Sequence, residues 1–431
     1  VCEIDLKQFF LWYTEKGRPK VLVEETFVEK IYTLKFTQLS PTNNELGDRP
    51  FKIPIVMGLL TKAGEEILEN HLFILETHQA SFVTEGFDTK PVASVLRSLS
   101  APVTLTFEQS DTELMTIAKH DSDAFNRLTA IEKIYLQNIE TLISGNETVS
   151  PTIINMFLDL LREEELDPGL KSLFLMVPHY STIMEHLCQK HRNIDPDLII
   201  RNTDKLSRCL ANHAADSLKK LYYSIETYDL CSPHREQAAT RNLKLTLLNL
   251  LCYVDPTATN TKKMFDNASN MSEEIGSLSI LIRHNNASEE IRKFYRKWRK
   301  DRLVVDKWFS AQAIHTSADL AARTVKMLSN HEDFNWENPN RFNSLILSFA
   351  SNNLGGFHTR GGEGYDLVCH WIAKTDAHNP QVAARLASTF EKLRIFDKSR
   401  QAKIEKNLND LINRNNISKN TFEITSKILN S

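Results

Sequence analysis

With 431 residues, 41% of them hydrophobic and 25% charged, the chain has the make-up of a globular protein of two or three domains. A net charge of -3 supplies no overall field for nucleic acid or an anionic membrane. No apolar run reaches the roughly 18 residues that span a bilayer, and the best candidate, 243–254, is broken by Lys244 and Asn249.

Six cysteines (Cys2, Cys188, Cys209, Cys231, Cys252 and Cys369) stand apart with no CxxC pair. That spacing reads as reduced thiols in a cytoplasmic protein, not as a disulfide framework. The chain carries no signal peptide and opens on Val1, which reads as an excised or processed segment.

In chain order, Leu6, Phe9, Phe10 and Tyr13 repeat at i, i+3, i+4, i+7 and predict a short helix over 5–13 with an apolar stripe to bury. Gly17 and Pro19 close it. From Pro19 to Glu108 the period becomes two. Residues 31–38 alternate, apolar runs follow at 51–60, 71–75, 81–84 and 103–107, and turns fall at 41–44, 63–64, 86 and 101–102. Short strands at this spacing predict a small β-sandwich. Pro54 places its strand at an edge or a bulge.

Beyond Asp111 the pattern is helical. Leu128, Ile131, Tyr135, Ile139 and Leu142 form a stripe that stops at Gly145. Ser150-Pro151 predicts a capped helix start with proline in the first turn, and Asp195-Pro196, Ser232-Pro233, Asn338-Pro339 and Asn379-Pro380 repeat it. Helices joined by short loops predict an α-solenoid, with no clean sequence period.

Several groups could carry chemistry. Gln381 and Arg385 are four apart at the start of their helix, and Arg341 stands near the start of its own, so each could meet a carboxylate. Ordinary capping with solvated arginines explains the same spacing. The glycine-rich stretch 355–364 lacks both the Gly-Lys-Ser/Thr ending and a preceding strand, so it reads as a shaped turn, not a phosphate loop. Seven basic residues in 292–302 interleave with Phe294, Tyr295 and Trp298. Helical spacing buries Phe294 and Trp298 and leaves the charges solvated, so no nucleic-acid partner is expected. His186 and His191 with Cys188, or Cys369-His370 with His378, have no metal-ligand spacing.

Val304-Val305-Asp306-Lys307-Trp308-Phe309, Asn338-Pro339-Asn340-Arg341, Gly356-Phe357-His358, Gly361-Gly362-Glu363-Gly364-Tyr365 and Asn379-Pro380-Gln381-Val382-Ala383-Ala384-Arg385-Leu386 occur in this order. Together they resemble the C-terminal helical domain of bacterial aminopeptidase N. Residues 5–13 resemble the last helix of that family's catalytic domain, and 32–38, 53–55 and 100–103 its β-sandwich. Asn270-Met271-Ser272 falls in place between the two sets. The resemblance covers essentially the whole chain.

The resemblance implies three parts: 1–15, the end of the catalytic domain; 16–110, the β-sandwich; and 111–431, the α-helical solenoid. The family's HExxH zinc signature is missing: the single His-Glu step is His331-Glu332, with Asn335 where the second histidine would stand. Zinc would therefore be bound in an upstream catalytic half, the chief expected partner, leaving this segment inactive alone. The segment would cap the cavity and help position peptide substrates. By carry-over Gln381, Arg385 and Arg341 line the far end of that cavity, and Gln381 with Arg385 hold the downstream portion of the peptide. Asn343 replaces a second arginine that the family often carries. The alternative is a free-standing helical-repeat scaffold for a protein partner, which would have to cover the Leu6/Phe9/Phe10/Tyr13 stripe internally.

Overall fold

The computed structural model describes residues 6–41, 45–47, 49–191, 193–225 and 232–430. Asp5, Cys2, Cys231 and the expected turn residues 42–44 lie outside them. Two compact units divide the chain, 1–137 and 138–431.

The first unit is a sandwich of two sheets. β1 (Lys20–Val28), β2 (Ile31–Leu39), β5 (Gln79–Glu85) and β7 (Thr104–Phe107) form one sheet in the order β5-β2-β1-β7. β3 (Ile53–Leu60), β4 (Glu66–Leu75) and β6 (Val92–Val95) form the other, ordered β4-β3-β6. All pairs are antiparallel except β1 with β7. Alternation puts Tyr32, Leu34 and Phe36 of β2 and Ile53, Ile55, Met57 and Leu59 of β3 into a common core with Val21 and Val23. Each such side chain, taken out of water, stabilises the unit by about 1.5–3 kcal/mol.

Pro54 sits where β3 has β4 on one side only, because β6 pairs no earlier than Met57. The missing proline N–H therefore costs no ladder bond. β3 is nevertheless the middle strand of its sheet, and its register shifts only further on, between Met57 and Leu60, so Pro54 marks neither an edge strand nor the bulge itself.

The stripe over 5–13 forms only a short helix, Leu11–Thr14, preceded by turns. Leu11 joins the sandwich core, while Gln8 Nε2 donates to the carbonyls of Pro50 (3.0 Å) and Glu76 (2.7 Å). Trp12 Nε1 donates to Lys52 O at 3.2 Å. The segment is thus tied down, yet its four apolar residues stay in water.

Helix Asp111–His120 opens on a capping box made by Ser110 and Glu113. Ala124–Ile143 follows and ends before Gly145, whose φ of +103° suits glycine. Asn126 of this helix donates to Ser94 Oγ and Val95 O of the sandwich, so the compact first unit runs past the last strand.

The second unit is helical throughout. Ser150, Asp195, Asn338 and Asn379 each cap a helix whose first residue is proline. Asp167-Pro168 does the same for Pro168–Leu175, a start not picked out from the sequence. The Ser232-Pro233 start is displaced. That helix begins at Arg235, because Ser232 Oγ accepts from His234 N and holds a turn first.

The stretch 355–364 is the shaped turn expected. Helix Leu354–Phe357 leads through Gly362 into Glu363–Asp376. A Cβ on Gly364 would come within 2.3 Å of Phe357 O, so only glycine lets the two backbones meet.

Candidate functional site

The two Asn-Pro helix starts meet. Asn338 Oδ1 accepts from Asn340 N (3.0 Å) and Arg341 N (3.4 Å), opening the short helix Pro339–Phe342. Asn379 Oδ1 accepts from Val382 N at 3.2 Å and opens Pro380–Ala387. Pro339 and Phe342 from one start, and Asn379 and Val382 from the other, line a single cavity of about 270 Å3 with Trp336 and His378. The Trp336 and His378 rings pack edge to face at 4.9 Å, and Lys374 Nζ lies 4.8 Å from Trp336 and 4.6 Å from Trp371.

The expected site residues part company here. Gln381 and Arg385 are exposed, and neither side chain has a partner among the described residues. Both remain free to meet a ligand. Arg341 is turned inward and buried. Its Nε lies 2.7 Å from Asp306 Oδ1, its Nη2 donates to Arg302 O at 3.1 Å, and its guanidinium sits 5.2 Å from the Phe309 ring. Asp306 neutralises it from a helix more than thirty residues upstream, a pairing that local spacing cannot reveal. Asn343 begins a stretch of π-helix, Asn343–Leu347, directly after Phe342.

Three further polar clusters carried no local signal. Glu140 accepts from His186 Nε2 and His191 Nε2, each at 2.8 Å, and from Lys190 Nζ at 3.1 Å. Burial raises the Glu140 carboxyl, but the bonds from His191, His186 and Lys190 outweigh it and hold the group at about 2. The two histidines set aside as metal ligands are thus partners of one carboxylate. Arg400, buried, binds Asp195, Asp197 and Asp397. Arg283 meets His315 in place of an acid. In the basic stretch, Lys297 is not simply solvated: with Trp298 Nε1 it grips the buried Glu274 at 2.9–3.1 Å. Arg299 and Lys300 stay exposed.

Among the described residues, no group of three or more His, Cys, Asp or Glu side chains could hold a metal ion.

Two family profiles match the chain. The one described as a domain of unknown function (DUF3458), Ig-like fold, covers residues 17–108. The one described as DUF3458_C, ARM repeats, covers 111–430. Aminopeptidase N of Haemophilus influenzae is 29% identical over 444 residues, and that of Escherichia coli 28% over 446. Aminopeptidase N of Caulobacter vibrioides is 30% identical over 435. Each alignment takes in 99% of this chain and 50% of the relative, so the chain spans about half the length of the relatives it matches. A solved structure, Legionella pneumophila aminopeptidase A in complex with aspartic acid, superposes with a TM-score of 0.86 at 29% identity, again over 99% of this chain and 50% of that one.

Proposed function

The chain belongs to the DUF3458 family of Ig-like and ARM-repeat domains and is homologous to the C-terminal half of aminopeptidase N, and from that premise we propose that it is the non-catalytic part of a zinc-dependent aminopeptidase. Such an enzyme removes N-terminal residues from peptides, with zinc and the reacting groups carried by the upstream half. This part caps the active-site cavity, limits access and helps position the peptide, and is inactive alone. We place the enzyme in the cytoplasm, where the free thiols of Cys188, Cys209, Cys252 and Cys369 would stay reduced.

The observation that carries this reading is the stripe at the start of the chain. Leu6, Phe9, Phe10 and Tyr13 are 48%, 45%, 55% and 76% exposed, although Gln8 and Trp12 pin the same segment to the sandwich. A free-standing scaffold would gain by burying such side chains internally. A half that docks against its own upstream domain keeps them for that contact.

Within the lid, Gln381 and Arg385 hold the downstream part of the peptide, with Arg385 offering its guanidinium to a carboxylate or carbonyl. Arg341, already paired to Asp306, acts by fixing its helix start beside the Trp336–His378 cavity.

Hydrolysis of an alanine or leucine chromogenic amide tests the reading, using this chain alone and mixed with the separately produced upstream half plus zinc. Activity is expected in the mixture only. Absence of both activity and binding in the mixture overturns the proposal in favour of the scaffold. In the complemented enzyme, Arg385→Ala is expected to lower kcat/KM about tenfold for peptides and to spare small amino-acid amides. Equal losses on both substrates would remove Arg385 from peptide binding.

A further inference from the structure

The two faces of the sheet β4-β3-β6 are finished differently. One turns Ile53, Ile55 and Met57 of β3 and Leu75 of β4 into the sandwich core. Period two then points the residues between them outward. The register sets Pro54 opposite Ile74 and Val56 opposite Leu72, so four apolar side chains stand together on the outer face. Leu72 is 55% and Ile74 36% exposed, and Pro54 and Val56 are half-buried. The solvated face of an antiparallel sheet ordinarily carries polar residues. Further along β3 the same face is covered. The buried Arg97 guanidinium lies over Gly58, and Asn126 of the helix Ala124–Ile143 donates to Ser94 Oγ, opposite Gly58 on β6. Cover stops at Ser100, whose Oγ accepts from Val56 N at 3.0 Å, and Leu99 beside it is exposed at positive φ.

The uncovered half adjoins the anchored segment 6–14. Lys52 and Glu76, next along the outer face, form an ion pair at 3.3 Å. Trp12 Nε1 donates to Lys52 O, and Gln8 Nε2 to Glu76 O. At the rise of a strand, the Pro54–Ile74 pair lies about 7 Å beyond these residues and the Val56–Leu72 pair about 13 Å. The exposed stripe and the exposed sheet face therefore neighbour each other across Lys52 and Glu76. The aminopeptidase N relatives are twice as long as the region they share with this chain, and that region is their C-terminal half. An upstream half joined through residues 6–14 is held beside the sheet face by its own backbone, an advantage that no free partner or second copy has.

We propose that the outer face of β3 and β4, at Pro54, Val56, Leu72 and Ile74, is a docking surface for the upstream half of the same polypeptide. The surface rests on the strand register and on its exposure. The choice of occupant rests on the reading of the chain as the C-terminal part of a longer peptidase. Docking there extends the contact made by Leu6, Phe9, Phe10 and Tyr13 from the linking segment onto the sandwich itself, so the sandwich is gripped at two places and held in one orientation. The matching surface is apolar at its centre, with polar groups at the rim opposite Lys52 and Glu76.

The test is amide hydrogen exchange over 66–76, compared between this chain alone and this chain joined to its upstream half in one polypeptide. Exchange is expected to slow about tenfold in the longer protein, since each 1.4 kcal/mol of protection is tenfold. Leu72→Glu in the longer protein should remove that protection. Val83→Glu, at an exposed position of the other sheet, should leave it in place. Equal rates in the two unaltered proteins overturn the proposal, as does protection that survives Leu72→Glu. Protection that appears in this chain alone as its concentration rises also overturns it, because the face is then a contact between copies. Residues 6–14 separate this proposal from the wider reading. Slowing there without slowing over 66–76 keeps the upstream contact and removes the sheet face from it, whereas slowing at neither removes both. Thermal melts report the folding of the variants. If Leu72→Glu fails to fold, the comparison of the two unaltered proteins still decides.

Discussion

Arg97 in the sandwich unit and Arg400 in the helical unit are both shut off from water, at 0% and 1% exposure, but they are held in different ways. Arg97 has a tight set of partners. Its Nη2 lies 2.9 Å from Asp121 Oδ1, its Nη1 meets Glu66, and its Nε donates to Ser94 Oγ at 3.0 Å. The segment around it is strained, with Leu96, Ser98 and Leu99 all at positive φ. A Cβ on Gly58 would lie 2.1 Å from its guanidinium carbon, so β3 carries glycine where the arginine crosses it. Arg400 shares its anions. Asp195 and Asp197 also bind the exposed Arg360, at 2.6 and 2.9 Å, and Asp397 and the His358 carbonyl complete the set. Asp195 and Asp397 are at the same time the caps of helices Pro196–His213 and Lys398–Ile412, which the Ile194–Phe396 bridge brings together. One arginine pins a strained turn without a substitute. The other belongs to a network with a spare cation.

That difference predicts unequal losses. Arg97→Ala should cost about 4 kcal/mol, because it strands Asp121, whose burial already pushes its carboxyl above the usual range, and frees a turn that costs energy to hold. Urea unfolding of the chain, read by a probe in the sandwich, measures it. Replacing the pair with Arg97→Met and Asp121→Leu together should recover much of the loss, since the stranded charge is then gone. Arg400→Ala should cost less, about 3 kcal/mol, because Arg360 remains to neutralise Asp195 and Asp197. The comparison fails if Arg400→Ala proves the more damaging, or if adding Arg360→Ala to it changes nothing.

What could be read from the sequence divides along similar lines. The helix stripe through Tyr135 and the proline-first caps depend on neighbours a few residues away, and all but the Ser232-Pro233 start stand where their spacing puts them. β1 carries no hairpin marker in the sequence, because its turn at Glu29-Lys30, both at positive φ in the manner of a type I′ turn, lacks the Asn-Gly that marks one. β6 is four residues long and buried throughout, so it shows no alternation. At the candidate site, Asn338 and Asn379 were legible as caps, but not the cavity they share. Arg341 looked like a solvent-facing charge, and its burial depends on Asp306, which lies in a different helix. Contacts of that range leave no periodic trace.

Glu140 supplies a third case between the two arginines: an acid with surplus cations, where Arg400 is a cation with surplus acids. Its three donors come from one stretch, His186 to His191, so the cluster ties the helix Ala124–Ile143 to the helix Tyr180–Lys190. With its carboxyl held at about 2 against an ordinary 4.5, the folded chain binds this proton later than the unfolded chain does. The stabilisation is therefore complete above about pH 4.5 and is lost as pH falls toward 2. Allowing for the half-exposed His191 and Lys190, it amounts to roughly 2 kcal/mol. Glu140→Gln keeps the shape and removes the titration, so its urea midpoint should depend less on pH between 4.5 and 2 than that of the unaltered chain. Parallel pH profiles for the two proteins would mean that the histidines and the lysine are spectators, and that the helices are held by their apolar faces alone.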